Sequence, residues 1–160
     1  MKKNASQYLQ KYTIYIVLIV LFAICSLISP YFLSGNNLMN VSKQLCVGLL
    51  IAYGEMILIV SGFLDLSAGS VLALAGVLSV SSYKATGSML VAVVVAITVA
   101  VACNVVNAFF VGNCNVPAFI ATLGMQQVAR GIALYYTGGQ NILQLGDFVD
   151  IGQGMVFGIP

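Results

Sequence analysis

Long apolar runs separated by short polar stretches make up most of the chain. A membrane-spanning helix needs about 20 mainly apolar residues, and several runs approach or reach this length. They cover residues 12–28, 45–60, 62–80, 89–111 and 117–137. The pattern predicts an all-α fold, a polytopic transmembrane helical bundle of about five spanning helices, with polar connectors at 34–37, 82–88, 112–115 and 138–154. Because apolarity rises again at the end, we expect a sixth helix from about Ile159, the alternative being a natural short C-terminus.

Composition excludes other classes of protein. Hydrophobic residues make up 61% of the chain and charged residues only 6%, too few to cover a soluble domain or to keep a chain disordered. The net charge of +2 is too small for a nucleic-acid partner. The chain has no histidine, the commonest general base, which argues against an enzyme.

Three lysines precede the first apolar run, namely Lys2, Lys3 and Lys11. No A-x-A-like cleavage site follows the run, so we interpret it as a spanning helix rather than a secretory signal. The positive-inside rule then places the N-terminus in the cytoplasm. By alternation, the turn near Gly62 lies inside and the 138–154 segment outside.

Ionisable residues within apolar runs are candidates for functional sites, because charge is costly in a bilayer. Asp65 follows Gly62, which can break a helix, so we expect a broken helix near Asp65. Two interpretations stay open: a helix that begins beside a polar path, or a cap in a tight cytoplasmic turn. Glu55 and Arg130 lie at similar depths and are expected to pair, unless Arg130 reaches the interface and Glu55 is protonated.

Other positions suggest contacts between helices. Asn104 and Asn107 are three residues apart and share a helix face, where they form interhelical hydrogen bonds or line a polar path. Gly69, Ala73 and Gly76 form a stripe of small residues, which is expected to let helices pack closely.

Two segments resemble the signatures of sugar-type ATP-binding cassette (ABC) importer permeases, the ribose, galactose and xylose group of the branched-chain amino acid and ribose-like inner-membrane translocators. Residues 59–70 are similar to the Gly-Gly-Ile-Asp-Leu-Ser-Val-Gly-Ser signature, and residues 116–124 match the second. Residues 130–134 and 137–140 follow at the expected distance. The motif positions are Gly62, Asp65, Ser67, Gly69, Ser70, Pro117, Phe119, Thr122, Gly124, Arg130 and Gly131.

The resemblance implies a permease subunit for a pentose or hexose in the bacterial plasma membrane. It implies a second permease copy, an extracytoplasmic sugar-binding protein, and ATP-binding subunits that hold the ATP, with no cofactor in this chain. It also implies that residues 1–160 are the N-terminal part of a single permease domain whose C-terminal half is absent.

The chain departs from the family pattern at several places. Phe63 replaces the second glycine of the first signature and Ala108 replaces the glycine after Asn107, while residues 112–116 lack basic side chains. Two other functions stay open: an ion-coupled secondary transporter of a small polar solute, and a truncated, non-transporting membrane fragment.

Overall fold

A computed structural model of the chain describes residues 5–143, 145–149, 152 and 154. Within these residues the fold is all-α, which confirms the predicted class. The helices are α1 (Ala5–Ile28), α2 (Gly35–Val60), α3 (Ala68–Thr86), α4 (Met89–Gly112) and α5 (Ala118–Thr137), followed by a 3₁₀ turn at Gly146–Phe148. The helix expected from Ile159 lies outside the described residues.

Four of these helices, α1 to α4, are long and apolar enough to cross a membrane. The fifth predicted span, α5, forms a helix of 20 residues. It is less apolar than the others because it carries Gln126, Gln127 and Arg130.

Most residues of two predicted connectors, 34–37 and 82–88, belong to helices instead. Helix α2 begins at Gly35 because the Ser34 hydroxyl accepts a hydrogen bond from the Asn37 backbone N–H at 3.3 Å, as an N-cap does. Helix α3 continues to Thr86 because the Ser82 and Thr86 hydroxyls each donate to a carbonyl one turn earlier, at 2.8 Å. It ends where Gly87 takes a positive φ of 69°.

The chain divides into two compact units, Met1–Leu45 and Cys46–Pro160. In the first unit, a turn follows α1. The Phe32 ring in this turn makes an edge contact with the Phe22 ring of α1, with the ring centroids 5.0 Å apart. The Asn37 side chain donates to the Phe32 carbonyl at 2.7 Å. The bond from Asn37 satisfies one backbone carbonyl of the turn between α1 and α2.

The second unit contains a bundle of α3, α4 and α5. Its core joins Val71 and Leu74 of α3 to Ala129 and Ala133 of α5, with apolar residues of α4 packed against them. Helix α4 is antiparallel to α3, since the Ser79 hydroxyl near the end of α3 donates to a carbonyl near the start of α4 at 2.9 Å. The first turn of α5 bonds to the chain just before α3, so α3 and α5 run in the same direction.

The stripe of Gly69, Ala73 and Gly76 makes no close helix contact among the described residues, and its expected role in helix packing stays a prediction. All three residues are exposed, and a Cβ atom at Gly69 or Gly76 would meet nothing within 4 Å. At about 100° per residue, the stripe lies on the opposite side of α3 from the core residues Val71 and Leu74. The small side chains of the stripe therefore leave open space beside this face of α3.

Candidate functional site

The segment 61–67 between α2 and α3, hereafter the junction, is the predicted break near Asp65. It opens with a glycine turn: Gly62 has a φ of 83°, and the Phe63 N–H donates to the Leu58 carbonyl at 2.9 Å. This bond and the one from Gly62 to Ile59 at 3.0 Å form a Schellman motif, which needs a positive φ only at Gly62. Phe63 is therefore accommodated without a second glycine.

A chain of hydrogen bonds connects the junction to α4. The Asp65 carboxylate accepts from the Ser67 backbone N–H at 2.7 Å and from the Ser67 hydroxyl at 2.6 Å. The Ser67 hydroxyl in turn accepts from the Asn107 side chain at 3.2 Å. Ser67 is fully buried and Asn107 is 6% exposed. The Asp65 carboxylate thus stabilises the turn before α3, while the Ser67 side chain itself caps nothing.

Thr122 connects the junction to α5. Its hydroxyl accepts from the Leu66 backbone N–H at 3.1 Å and donates within its own helix to the Ala118 carbonyl at 2.9 Å. Thr122 is 5% exposed. A helix break in an apolar region leaves backbone N–H groups without partners, and here a buried threonine of another helix satisfies one of them.

A cavity of about 460 Å³ lies beside the junction. Asp65, Asn104, Asn107 and Thr122 are its polar lining residues, among a majority of apolar ones. Asn107 forms an interhelical bond, whereas Asn104 is exposed and donates to the Ala100 carbonyl of its own helix at 2.9 Å. Asp65 therefore both stabilises a turn and borders an open space.

A second, larger space of about 770 Å³ lies between α3 and α5, hereafter the α3–α5 groove. Helix α3 contributes the small-residue stripe together with Ser70. Helix α5 contributes Gln126, Arg130 and Thr137, which recur at helical spacing on one face. The groove is thus flanked by small residues on one side and by hydrogen-bonding side chains on the other.

The segment after α5 closes one end of the groove. Gln140 and Asn141 line it there. The Lys84 ammonium group at the end of α3 donates to the Leu143 carbonyl at 3.3 Å, and the Tyr83 and Phe148 rings lie 5.6 Å apart. This part of the expected 138–154 loop therefore folds back on the end of α3.

The expected pair of Glu55 and Arg130 is not formed among the described residues. Arg130 lines the α3–α5 groove, while Glu55 is half-buried on α2 and borders neither cavity. The reason is the direction of α5: the face that carries Arg130 is turned toward α3.

The remaining motif positions fall into three groups. Gly69 and Ser70 line the groove with Arg130. Pro117 is the residue before α5, whose carbonyl accepts the first bonds of that helix. Exposed residues form the last group and lie outside both cavities: Phe119, Gly124 and Gly131.

Four polar groove residues are not among the predicted site residues: Gln126, Thr137, Gln140 and Asn141. The motif segment 137–140 contains two of them, Thr137 and Gln140. The signal existed for two of them, since Gln126 precedes Arg130 by four residues and Thr137 follows it by seven, which is helical spacing. No signal placed Gln140 and Asn141, because the fold-back of a loop has no periodicity. The described residues contain no group of three or more side chains that could hold a metal ion.

Comparison with known proteins identifies relatives over most of the chain. Residues 37–153 match the family described as branched-chain amino acid transport system / permease component. The ribose import permease protein of Haemophilus influenzae is 36% identical over 151 residues, which is 91% of this chain and 47% of that protein. The ribose import permease protein of Escherichia coli strain K12 is 39% identical over 127 residues, covering 79% and 40% respectively.

The D-allose transport system permease protein of Escherichia coli strain K12 is 32% identical over 160 residues, 98% of this chain and 49% of the relative. The chain spans about half the length of the curated relatives it matches. No solved structure matches it significantly. The junction, Thr122 and Arg130 all lie within the region that the family covers, and the chain belongs to the branched-chain amino acid transport system / permease component family.

Proposed function

We propose that this chain is a transmembrane permease subunit of an ABC importer for a monosaccharide, a ribose-like pentose or a hexose. The observation that carries the proposal is family membership together with relatives that are named as permeases for ribose and D-allose. The subunit forms part of the translocation path and performs no covalent chemistry.

The α3–α5 groove supports a path for a neutral polyhydroxy solute. Ser70, Thr137, Gln126, Gln140 and Asn141 line it. Hydroxyl and amide side chains both donate and accept hydrogen bonds, as a sugar hydroxyl does. They can replace the water that a sugar loses on entering the groove.

The proposed assembly places the chain in the bacterial plasma membrane with its N-terminus in the cytoplasm. Four apolar helices support the membrane location, and the lysines that precede the first apolar run support the orientation. A second permease copy pairs with this one, ATP-binding subunits dock on the cytoplasmic side, and a sugar-binding protein delivers its ligand to the outer side. The fold-back segment, residues 138–143 and 145–149 at the opposite end of the bundle from the junction, is the candidate dock for that protein.

Uptake of radiolabelled pentoses and hexoses by cells with and without this gene tests the function. We expect uptake of one or a few sugars that needs the gene, survives dissipation of the ion gradients and stops when ATP is depleted. Uptake that survives ATP depletion but needs an ion gradient would instead establish a secondary transporter. No sugar uptake that depends on the gene would refute the importer.

A further inference from the structure

The α3–α5 groove has a single charged side chain among its described lining residues. That side chain is Arg130, and the polar lining around it is neutral: Ser70, Gln126, Thr137, Gln140 and Asn141. Arg130 is also the only arginine in the chain. A guanidinium group does not lose its proton in proteins, so the groove carries a permanent positive charge.

Arg130 lies well inside α5 rather than at either end of the helix. Arg130 lies 12 residues from the start of α5 and seven from its end, about 18 Å and 10 Å along the helix axis. Across from it, Gly69 and Gly76 leave the space beside α3 open. A small solute in the groove therefore shares this space with the Arg130 side chain, which lines it.

We propose that Arg130 makes the groove reject cations, so that a neutral polyhydroxy solute crosses without a leak of Na⁺ or protons. The inference rests on the proposed function, because it takes the groove as part of the translocation path. A positive side chain in a narrow polar pore is a physical barrier to cations. The neutral polar residues beside Arg130 can bind the hydroxyl groups of a sugar, but they can also stabilise a cation. The positive charge of Arg130 therefore determines that the groove accepts the neutral sugar and rejects the cation.

The size of the effect follows from Coulomb's law. A monovalent cation 4 Å from the guanidinium group is repelled enough to lower its occupancy about fivefold in a water-filled groove. At an effective dielectric constant of about 20, the same distance lowers the occupancy about a thousandfold. Removal of the charge should therefore raise cation leak at least about fivefold.

The test uses the complete importer in liposomes that contain a trapped pH dye or a Na⁺ indicator, during turnover with ATP. We expect Arg130→Gln to raise the leak of Na⁺ or protons at least about fivefold above wild type, and Arg130→Lys to keep it low. Lys11→Gln, which removes a positive charge from α1, is the matched control and should leave the leak unchanged. Equal leak in Arg130→Gln and wild type would overturn the proposal.

A second variant covers the case in which Arg130→Gln does not assemble. Arg130→Cys is made with the native cysteines replaced by serine and is then treated with a cationic or a neutral methanethiosulfonate reagent of similar size. The cationic reagent should lower the leak and the neutral one should not; equal effects would refute the charge mechanism. Leak and sugar uptake are separate readouts, so absence of sugar uptake in wild type would refute the proposed function separately.

Discussion

The hydroxyl of Thr122 is the contact through which the junction is attached to α5, and its removal gives a quantitative prediction. Thr122→Val keeps the shape of the side chain and deletes the oxygen. The Leu66 N–H then loses the acceptor that it has at 3.1 Å. The bond from the Thr122 hydroxyl to the Ala118 carbonyl is lost as well. We expect this second loss to cost little, because the Ala118 carbonyl belongs to a regular helix.

The expected cost comes from the N–H group that is left behind. An unsatisfied buried donor costs about 1–3 kcal/mol, while side-chain hydrogen bonds between membrane helices average about 0.6 and reach about 1.7 kcal/mol. Because the bond to Leu66 is only partly buried, we expect Thr122→Val to destabilise the fold by about 1 kcal/mol. This corresponds to roughly a fivefold change in the ratio of folded to unfolded chain.

Unfolding is measured by titration with SDS in mixed micelles, with the reactivity of a single thiol as the signal. Cys103 suits this purpose because it packs against the core of α3 and α5. The other cysteines, Cys25, Cys46 and Cys114, are exposed and are replaced by serine.

Thr98→Val is the matched control. The Thr98 hydroxyl is exposed and donates only to the Val94 carbonyl of its own helix, at 2.7 Å. We expect a change in unfolding free energy close to zero for this variant. If Thr122→Val and Thr98→Val shift the SDS midpoint equally, the attachment of the junction to α5 contributes nothing and the reasoning is wrong.

Three further predictions concern the junction and the groove. Ser67→Ala and Asn107→Leu should be coupled by about 0.6–1.7 kcal/mol in a double-mutant cycle of SDS unfolding; additive effects would exclude the bond between them. Gly62→Ala should destabilise by about 1–2 kcal/mol, because alanine is strained at a φ of 83°, whereas Gly48→Ala, in a helix with open space, should be neutral or stabilising. Gly76→Leu should abolish sugar uptake without loss of membrane-inserted protein, whereas Gly48→Leu should preserve it; unchanged uptake in Gly76→Leu would remove the groove from the path.

Helix positions were largely predictable because their ends carry local signals. Pro30 follows closely on the last residue of α1, and Gly112 and Gly138 lie at the ends of α4 and α5. The start of α2 and the end of α3 differ from the prediction because serine, threonine and asparagine are also typical of loops. In the structure these side chains bond to the backbone of the helices instead.

The candidate site was less predictable, because local patterns do not determine which helix faces meet. Asp65 and Gly62 indicated the break, and the shared face of Asn104 and Asn107 indicated a polar contact. The Thr122 hydroxyl accepts a hydrogen bond from the Leu66 N–H, 56 residues earlier in the chain. This bond depends on the parallel arrangement of α3 and α5, which no local sequence pattern predicts. Glu55 and Arg130 were matched by depth alone, and depth does not specify the direction in which a side chain points.

The small residues of α3 show how the same pattern can have two outcomes. In lipid, Gly69, Ala73 and Gly76 would allow a helix to approach closely. Here the apolar face of α3 contacts the core on its other side, so the absence of side chains produces a groove rather than a contact. A large residue in the stripe would fill part of the groove that Arg130 also lines. Small residues on α3 and a charge on α5 are therefore linked through one space, because both line the α3–α5 groove.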